Sequence, residues 1–140
     1  LSRVGLADFL DKRPDQLSGG MRQRAALARA FAYSSDILVM DEPFQSVDVR
    51  TRIALMDLLL DLVREEPRTV IIVTHDGREA VYLADRIMVL SERPARLVDV
   101  MMPGLQRSAR SYASEESAVL ESRLYRLILE GGGPAPDASR

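Results

Sequence analysis

Residues 37–43 read Ile37-Leu38-Val39-Met40-Asp41-Glu42-Pro43: four consecutive apolar residues, then two carboxylates and a proline. The run has strand length and no polar alternation, the pattern of a strand covered on both faces in a parallel sheet. Pro43 cannot donate to a ladder and ends it. C-terminal to it, Val49 to Glu65 is predicted to be a helix with a buried stripe of Val49, Ile53, Met56, Leu60 and Val63. Val70 to Val73 forms a second buried run, closed by Thr74-His75-Asp76. Asp76 and Glu79 have capping-box spacing and open a short helix to about Ala84. Ile87–Leu90 and Leu97–Met101 are two further strands around a turn at Arg93-Pro94. A polar connection after Pro103-Gly104 leads to a helix from about Ser114 to Glu130, and the glycine-rich end from residue 131 is expected to be mobile.

N-terminal to residue 37, Ser34-Ser35-Asp36 is a turn and Met21 to Ala32 an alanine-rich helix. Leu17-Ser18-Gly19-Gly20 precedes it, and Leu1 to Leu10 has the periodicity of a short amphipathic helix stopped by Arg13-Pro14. Strands alternating with helices, without an internal repeat, give an α/β fold with a mostly parallel sheet flanked by helices.

The 140 residues carry 19 Lys+Arg against 21 Asp+Glu, a formal charge of −2 that offers no electrostatic footprint for nucleic acid. Cysteine is absent, which excludes disulfides and thiolate zinc sites and fits a cytosolic setting. No apolar run reaches the roughly 18 residues needed to cross a bilayer. Lys12 is the one lysine and follows Asp11, so no Gly-Lys dipeptide exists and the phosphate loop GxxxxGK[ST] does not occur in these residues. The chain opens on Leu1 rather than methionine, and the expectation is a piece of something longer.

Four short stretches have chemical potential. Ser18-Gly19-Gly20 before a helix gathers unpaired amides at the positive end of a dipole, where an anion can approach closely; a plain serine cap would read the same. Asp41 and Glu42 sit at the carboxyl end of a strand, where α/β sheets bind ligands, and suit a metal-holding carboxylate beside one that orients water. His75, the sole histidine, ends the next strand and suits contact with a phosphate. Asp48, in Ser46-Val47-Asp48, is a good helix N-cap.

In order, Leu17-Ser18-Gly19-Gly20-Met21-Arg22-Gln23-Arg24, the strand ending in Asp41-Glu42-Pro43, Ser46-Val47-Asp48, and the strand ending in Thr74-His75 resemble four motifs of the nucleotide-binding subunit of ATP-binding-cassette (ABC) transporters. They match the signature motif, the Walker B strand, the D-loop and the switch histidine. Arg93-Pro94-Ala95-Arg96-Leu97-Val98 resembles a stretch of the nitrate, sulfonate and taurine importer ATPases, with Ala95 where glycine is usual and Met102 to Arg107 departing from their pattern. The helix around Leu120 to Leu129 also resembles their C-terminal helix.

The resemblance implies the C-terminal half of a P-loop NTPase (RecA-like) cassette with part of its helical subdomain. Residues 1–105 would be the partial ATPase domain, 106–130 an extension with a helix, and 131–140 a flexible tail. It implies ATP and Mg²⁺, and two composite sites in a head-to-tail dimer of nucleotide-binding subunits. Ser18, Gly19 and Gly20 would hold the γ-phosphate of ATP on the opposite subunit, Asp41 would support Mg²⁺, and Glu42 would position water. His75 would contact the γ-phosphate and Asp48 would cross the dimer interface. Permease subunits, indirectly a solute-binding protein, and the cytoplasmic face of the membrane complete the expected setting, without nucleic acid. The family's phosphate loop, its adenine-stacking aromatic residue and its Q-loop precede the signature motif and have no counterpart here. The isolated chain is therefore expected to be inactive, and an open sheet edge to favour self-association. Cassette ATPases of DNA repair or translation, and a non-catalytic interaction fragment, are the alternatives. The first lacks its expected heptads, and the second its basic linker.

Overall fold

A computed structural model describes residues 2–45, 47–104 and 111–131, the last two without their side chains. The chain divides into two compact units, 1–75 and 76–140.

In the first unit, short 3₁₀ turns at Ser2–Val4, Ala7–Phe9 and Pro14–Gln16 precede helix α1, Gly19–Ala32. The single helix expected over Leu1 to Leu10 is not formed, because Gly5 takes a left-handed conformation at φ 70 and splits it into two turns. α1 begins where Ser18 Oγ accepts from the Met21 amide at 3.2 Å. Strand β1 spans Ile37–Asp41, helix α2 Val49–Glu65 and strand β2 Thr69–Val73. β1 and β2 pair in parallel, with Ile37 opposite Thr69 and Asp41 opposite Val73.

Two expectations about burial change. The buried ridge of α2 is Leu55, Met56, Leu59 and Leu62, while Val49 is exposed and Ile53, Leu60 and Val63 are half-buried. The helix carries apolar residues around much of its circumference, so periodicity alone does not select the edge that packs. The β1–β2 sheet is also covered on one face only. Met40 is buried, whereas Val39 and Val73 are 64% and 54% exposed and Ile37 and Ile71 lie on the surface. Continuous apolar strands need a layer on each side, and this unit's residues supply one.

The ends of the unit are tied by charge. Arg3 pairs with Glu65 and Glu66, which raises the guanidinium's pKa and lowers that of Glu66. Arg68 donates to Glu66 at 2.8 Å and to the Tyr33 carbonyl at 3.2 Å, with its guanidinium 4.5 Å above the Phe31 ring.

The second unit contains helix α3 (Gly77–Leu83), strands β3 (Ile87–Leu90) and β4 (Leu97–Met101), and helix α4 (Glu115–Gly131). β3 and β4 pair antiparallel, as their short connection requires. The parallel part of the expected sheet is thus β1–β2. Val81, Ile87, Val89, Met101 and Leu124 form this unit's core. Arg78 Nε donates to Glu121 at 3.0 Å, which fastens α3 to α4 and raises the Arg78 pKa. The connection at 105–110 and the tail expected to be mobile from residue 131 lie outside the described residues, Gly131 excepted.

Leu55→Ala should cost about 2–5 kcal/mol by urea unfolding, because Leu55 is fully buried. A double change, Val39→Glu with Val73→Glu, should leave folding cooperative while lowering the sedimentation coefficient at high concentration.

Candidate functional site

β1 and β2 run in the same direction and in register, so their carboxyl ends meet at one point. The Glu42 amide continues the pairing by donating to the Val73 carbonyl at 2.9 Å. Glu42 is the non-glycine residue with positive φ among those described, at 44. A left-handed backbone costs an L-residue roughly 1–2 kcal/mol, so the surrounding contacts hold this turn. Its Oε1 accepts from the His75 amide at 3.1 Å and from His75 Nδ1 at 2.7 Å. The His75 tautomer that donates to a carboxylate here is the one with its proton on Nδ1. Both hydrogen bonds use Oε1, and the Glu42 side chain is 28% exposed. Asp41 is exposed at the same strand end. Among the described residues no group of three or more His, Asp and Glu could hold a metal alone. An ion on Asp41 would therefore take its other ligands from water and a phosphate-bearing ligand, the usual manner of Mg²⁺.

A second grouping lies at the starts of the helices. Ser18 caps α1, and Asp48 caps α2 by accepting from the Thr51 amide at 3.0 Å and its hydroxyl at 2.6 Å. The Thr51 hydroxyl and amide hold the Asp48 carboxyl below its ordinary value of 3.8. Gly20 abuts the same threonine: a Cβ there would lie 2.8 Å from Thr51 Cγ2. Gly19 is different, since a Cβ would meet nothing within 4 Å. Packing thus explains Gly20, while Gly19 keeps a bare approach to the first turn of α1. Ser46 lies outside the described residues.

Glu42 and His75 therefore come together beside Asp41, and Gly20 comes together with Thr51 and Asp48. Two contributors were not singled out from the sequence. Thr51, three residues after Asp48, had a readable signal in the Asp-x-x-Thr spacing of a cap. Gln23, whose amide donates to the Pro43 carbonyl, offered only the polarity of a helix residue.

Comparison with known proteins gives this geometry a context. A profile of the ABC transporter family matches residues 1–45. An ATP-binding protein of Brucella abortus is 46% identical over 130 residues, 91% of this chain and 50% of its own length. The aliphatic sulfonates import ATP-binding protein SsuB 1 of Pseudomonas savastanoi is 45% identical over 106 residues, 76% of this chain and 45% of its own. The chain matches the ATP-binding-cassette family in sequence. It spans about half the length of the curated relatives it matches. A metal-chelate type ABC transporter in an inward-facing conformation shares the fold with a TM-score of 0.63 at 22% identity, covering 90% of this chain and 46% of that one. An archaeal ribosome recycling factor, solved with a ribosomal stalk protein, aligns over 72% of this chain and 20% of its own with a TM-score of 0.59 at 30% identity. No helix among the described residues is long and apolar enough to cross a membrane.

The two glycines of this cassette segment should separate on mutation. Gly20→Ala should destabilise the chain by about 1–3 kcal/mol, because Thr51 is β-branched and pinned by Asp48 and cannot turn aside. Gly19→Ala should stabilise it by about 0.4–1 kcal/mol through the unfolded state, both read by thermal unfolding. Because the folded pKa of Asp48 is depressed, its contribution is present above pH 3.8 and lost as pH falls through the folded value. A lower protection factor at the Thr51 amide on acidification, after division by the intrinsic exchange rate at each pH, should report that loss.

Proposed function

We propose that the intact protein containing these residues is the ATP-binding and ATP-hydrolysing subunit of an ABC importer for nitrate-, sulfonate- or taurine-like solutes. The observation that carries the reading is the Glu42–His75 pair at 2.7 Å beside Asp41, at the carboxyl end of two parallel strands. Relatives at 45–46% identity that include a sulfonate importer subunit support the transport class.

In this reading Glu42, steadied through Oε1 by His75, turns Oε2 toward the attacking water and orients it. His75 lies close enough to the same carboxylate to share in contacting the terminal phosphate. Asp41 would hold Mg²⁺, which supplies charge neutralisation on the phosphate oxygens when bound. Ser18 and Gly19, at the start of α1, offer the hydroxyl, amides and positive dipole end to a γ-phosphate on a second nucleotide-binding subunit. Gly19 lets the phosphate approach the backbone that any side chain would shield. Asp48, exposed at the cap of α2, would face the second subunit. Permease subunits and a solute-binding protein would complete the transporter at the cytoplasmic face of the membrane. Residues 1–105 would be the ATPase portion, 106–130 an extension with a helix, and 131–140 a tail.

Phosphoryl transfer is mostly positioning and charge stabilisation, and these residues include no Gly-Lys pair with which to cradle the β- and γ-phosphates. The purified 140-residue chain is expected to show no ATP turnover above background. Turnover that disappears in Glu42→Gln would sink this part of the reading. In an assembly that supplies the phosphate loop, Glu42→Gln should slow turnover by roughly 10²–10⁴. Gly19→Ala, harmless to folding, should also reduce it. Capture of ribosomes instead of permease subunits would favour a translation ATPase, the class of the recycling factor it resembles at 30% identity.

A further inference from the structure

We infer that Gln23 is a positioning residue, linking the Ser18-Gly19-Gly20 start of α1 to the turn that carries Glu42. The link rests on the ATPase reading above for its function, and on the geometry of the first unit for its existence.

Gln23 lies five residues into α1 from its cap, about 7.5 Å along a rigid helix. Its side-chain amide donates to the carbonyl of Pro43, the residue directly after Glu42. Between α1 and β1 lies a groove of about 140 Å³, lined by Ala26, Leu27 and Ala30 on the helix and by Leu38, Met40 and Pro43 on the strand side. Alanines leave the groove incompletely filled, so this polar contact joins α1 to the strand end alongside the packing of buried Leu27, Met40 and Phe44. It does so next to a backbone under strain. Glu42 holds φ 44, and the proline that follows disfavours the right-handed helical alternative. Released, Glu42 would relax toward the extended region and swing its carboxylate away from His75. The Glu42 amide on Val73, the Gln45 amide on the Glu42 carbonyl at 3.2 Å, and Gln23 on Pro43 hold it in place.

The consequence is a connection inside one subunit between two different nucleotides. Ser18 and Gly19 serve the ATP of the neighbouring subunit, whereas Glu42 serves the ATP of its own. When a phosphate draws the start of α1 into place, Gln23 carries that position to Pro43 and so to the orientation of Glu42. Glutamine suits this position because it donates without adding a charge to a turn that already carries Asp41 and Glu42.

The link is tested first without nucleotide, by residue-resolved amide exchange on the 140-residue chain. Gln23→Met keeps length and removes the donor; Gln23→Glu keeps shape and presents an acceptor to the Pro43 carbonyl. In both, the His75 amide, held by Glu42 Oε1, should exchange about five- to tenfold faster, the size of one lost neutral hydrogen bond, while Val70 and Ile72 keep their rates. Unchanged exchange at His75, or a uniform acceleration through β1 and β2, overturns the link, the latter because it marks a contribution to overall stability alone. In the assembled ATPase, Gln23→Met should lower kcat about tenfold with KM for ATP nearly unchanged, as loss of orientation rather than of binding requires. A raised KM with unchanged kcat overturns it. A wild-type assembly without ATP turnover would defeat the functional reading, and exchange at His75 would still decide whether Gln23 governs Glu42.

Discussion

Parallel pairing of β1 with β2 is the constraint on which the candidate site depends. The ladder sets Asp41 opposite Val73 and extends one residue further, where the Glu42 amide meets the Val73 carbonyl. That last bond holds Glu42 where its carboxylate reaches both the amide and the ring of His75, two residues past the end of β2. A slip of one residue would turn Glu42 to the other side of the sheet, because side chains alternate with a period of two. Register is fixed in turn by burial. Met40 belongs to the covered face, and moving it outward would expose the strand's one buried side chain.

Much of this was legible in the residues themselves. The bounds of α2, β3 and β4 follow from periodicity and from Asp48 and Pro94, and the structure reproduces them. Asp76 reads correctly as the start of α3, since its carboxylate accepts from the Arg78 and Glu79 amides. Gly5 misled the reading of the first ten residues: a helical pattern of apolar residues does not reveal that one glycine sits in the left-handed region. The exposed face of β1 and β2 was invisible for a related reason. An apolar strand announces that it wants two covering layers, and says nothing of whether the same residues provide them.

The site divides along the same line. Asp41, Glu42, His75 and Asp48 carry chemistry in their side-chain types and could be chosen from strand and helix ends. Their mutual arrangement could not, because it depends on the positive φ of Glu42. The two glycines show the difference most sharply. Adjacent in sequence and identical in kind, one is required by the methyl of Thr51 and the other by no contact among the described residues. Only the folded molecule tells a glycine that a neighbour requires from one with open space beside it.

His75 is also the only imidazole in the sequence. A proton spectrum of the 140-residue chain accordingly contains one imidazole spin system, with no assignment problem, and that ring rests against the carboxylate of Glu42. The molecule carries a native spectroscopic label at the centre of its candidate site. Polyhistidine purification tags would drown that label, so a tag of another kind preserves it.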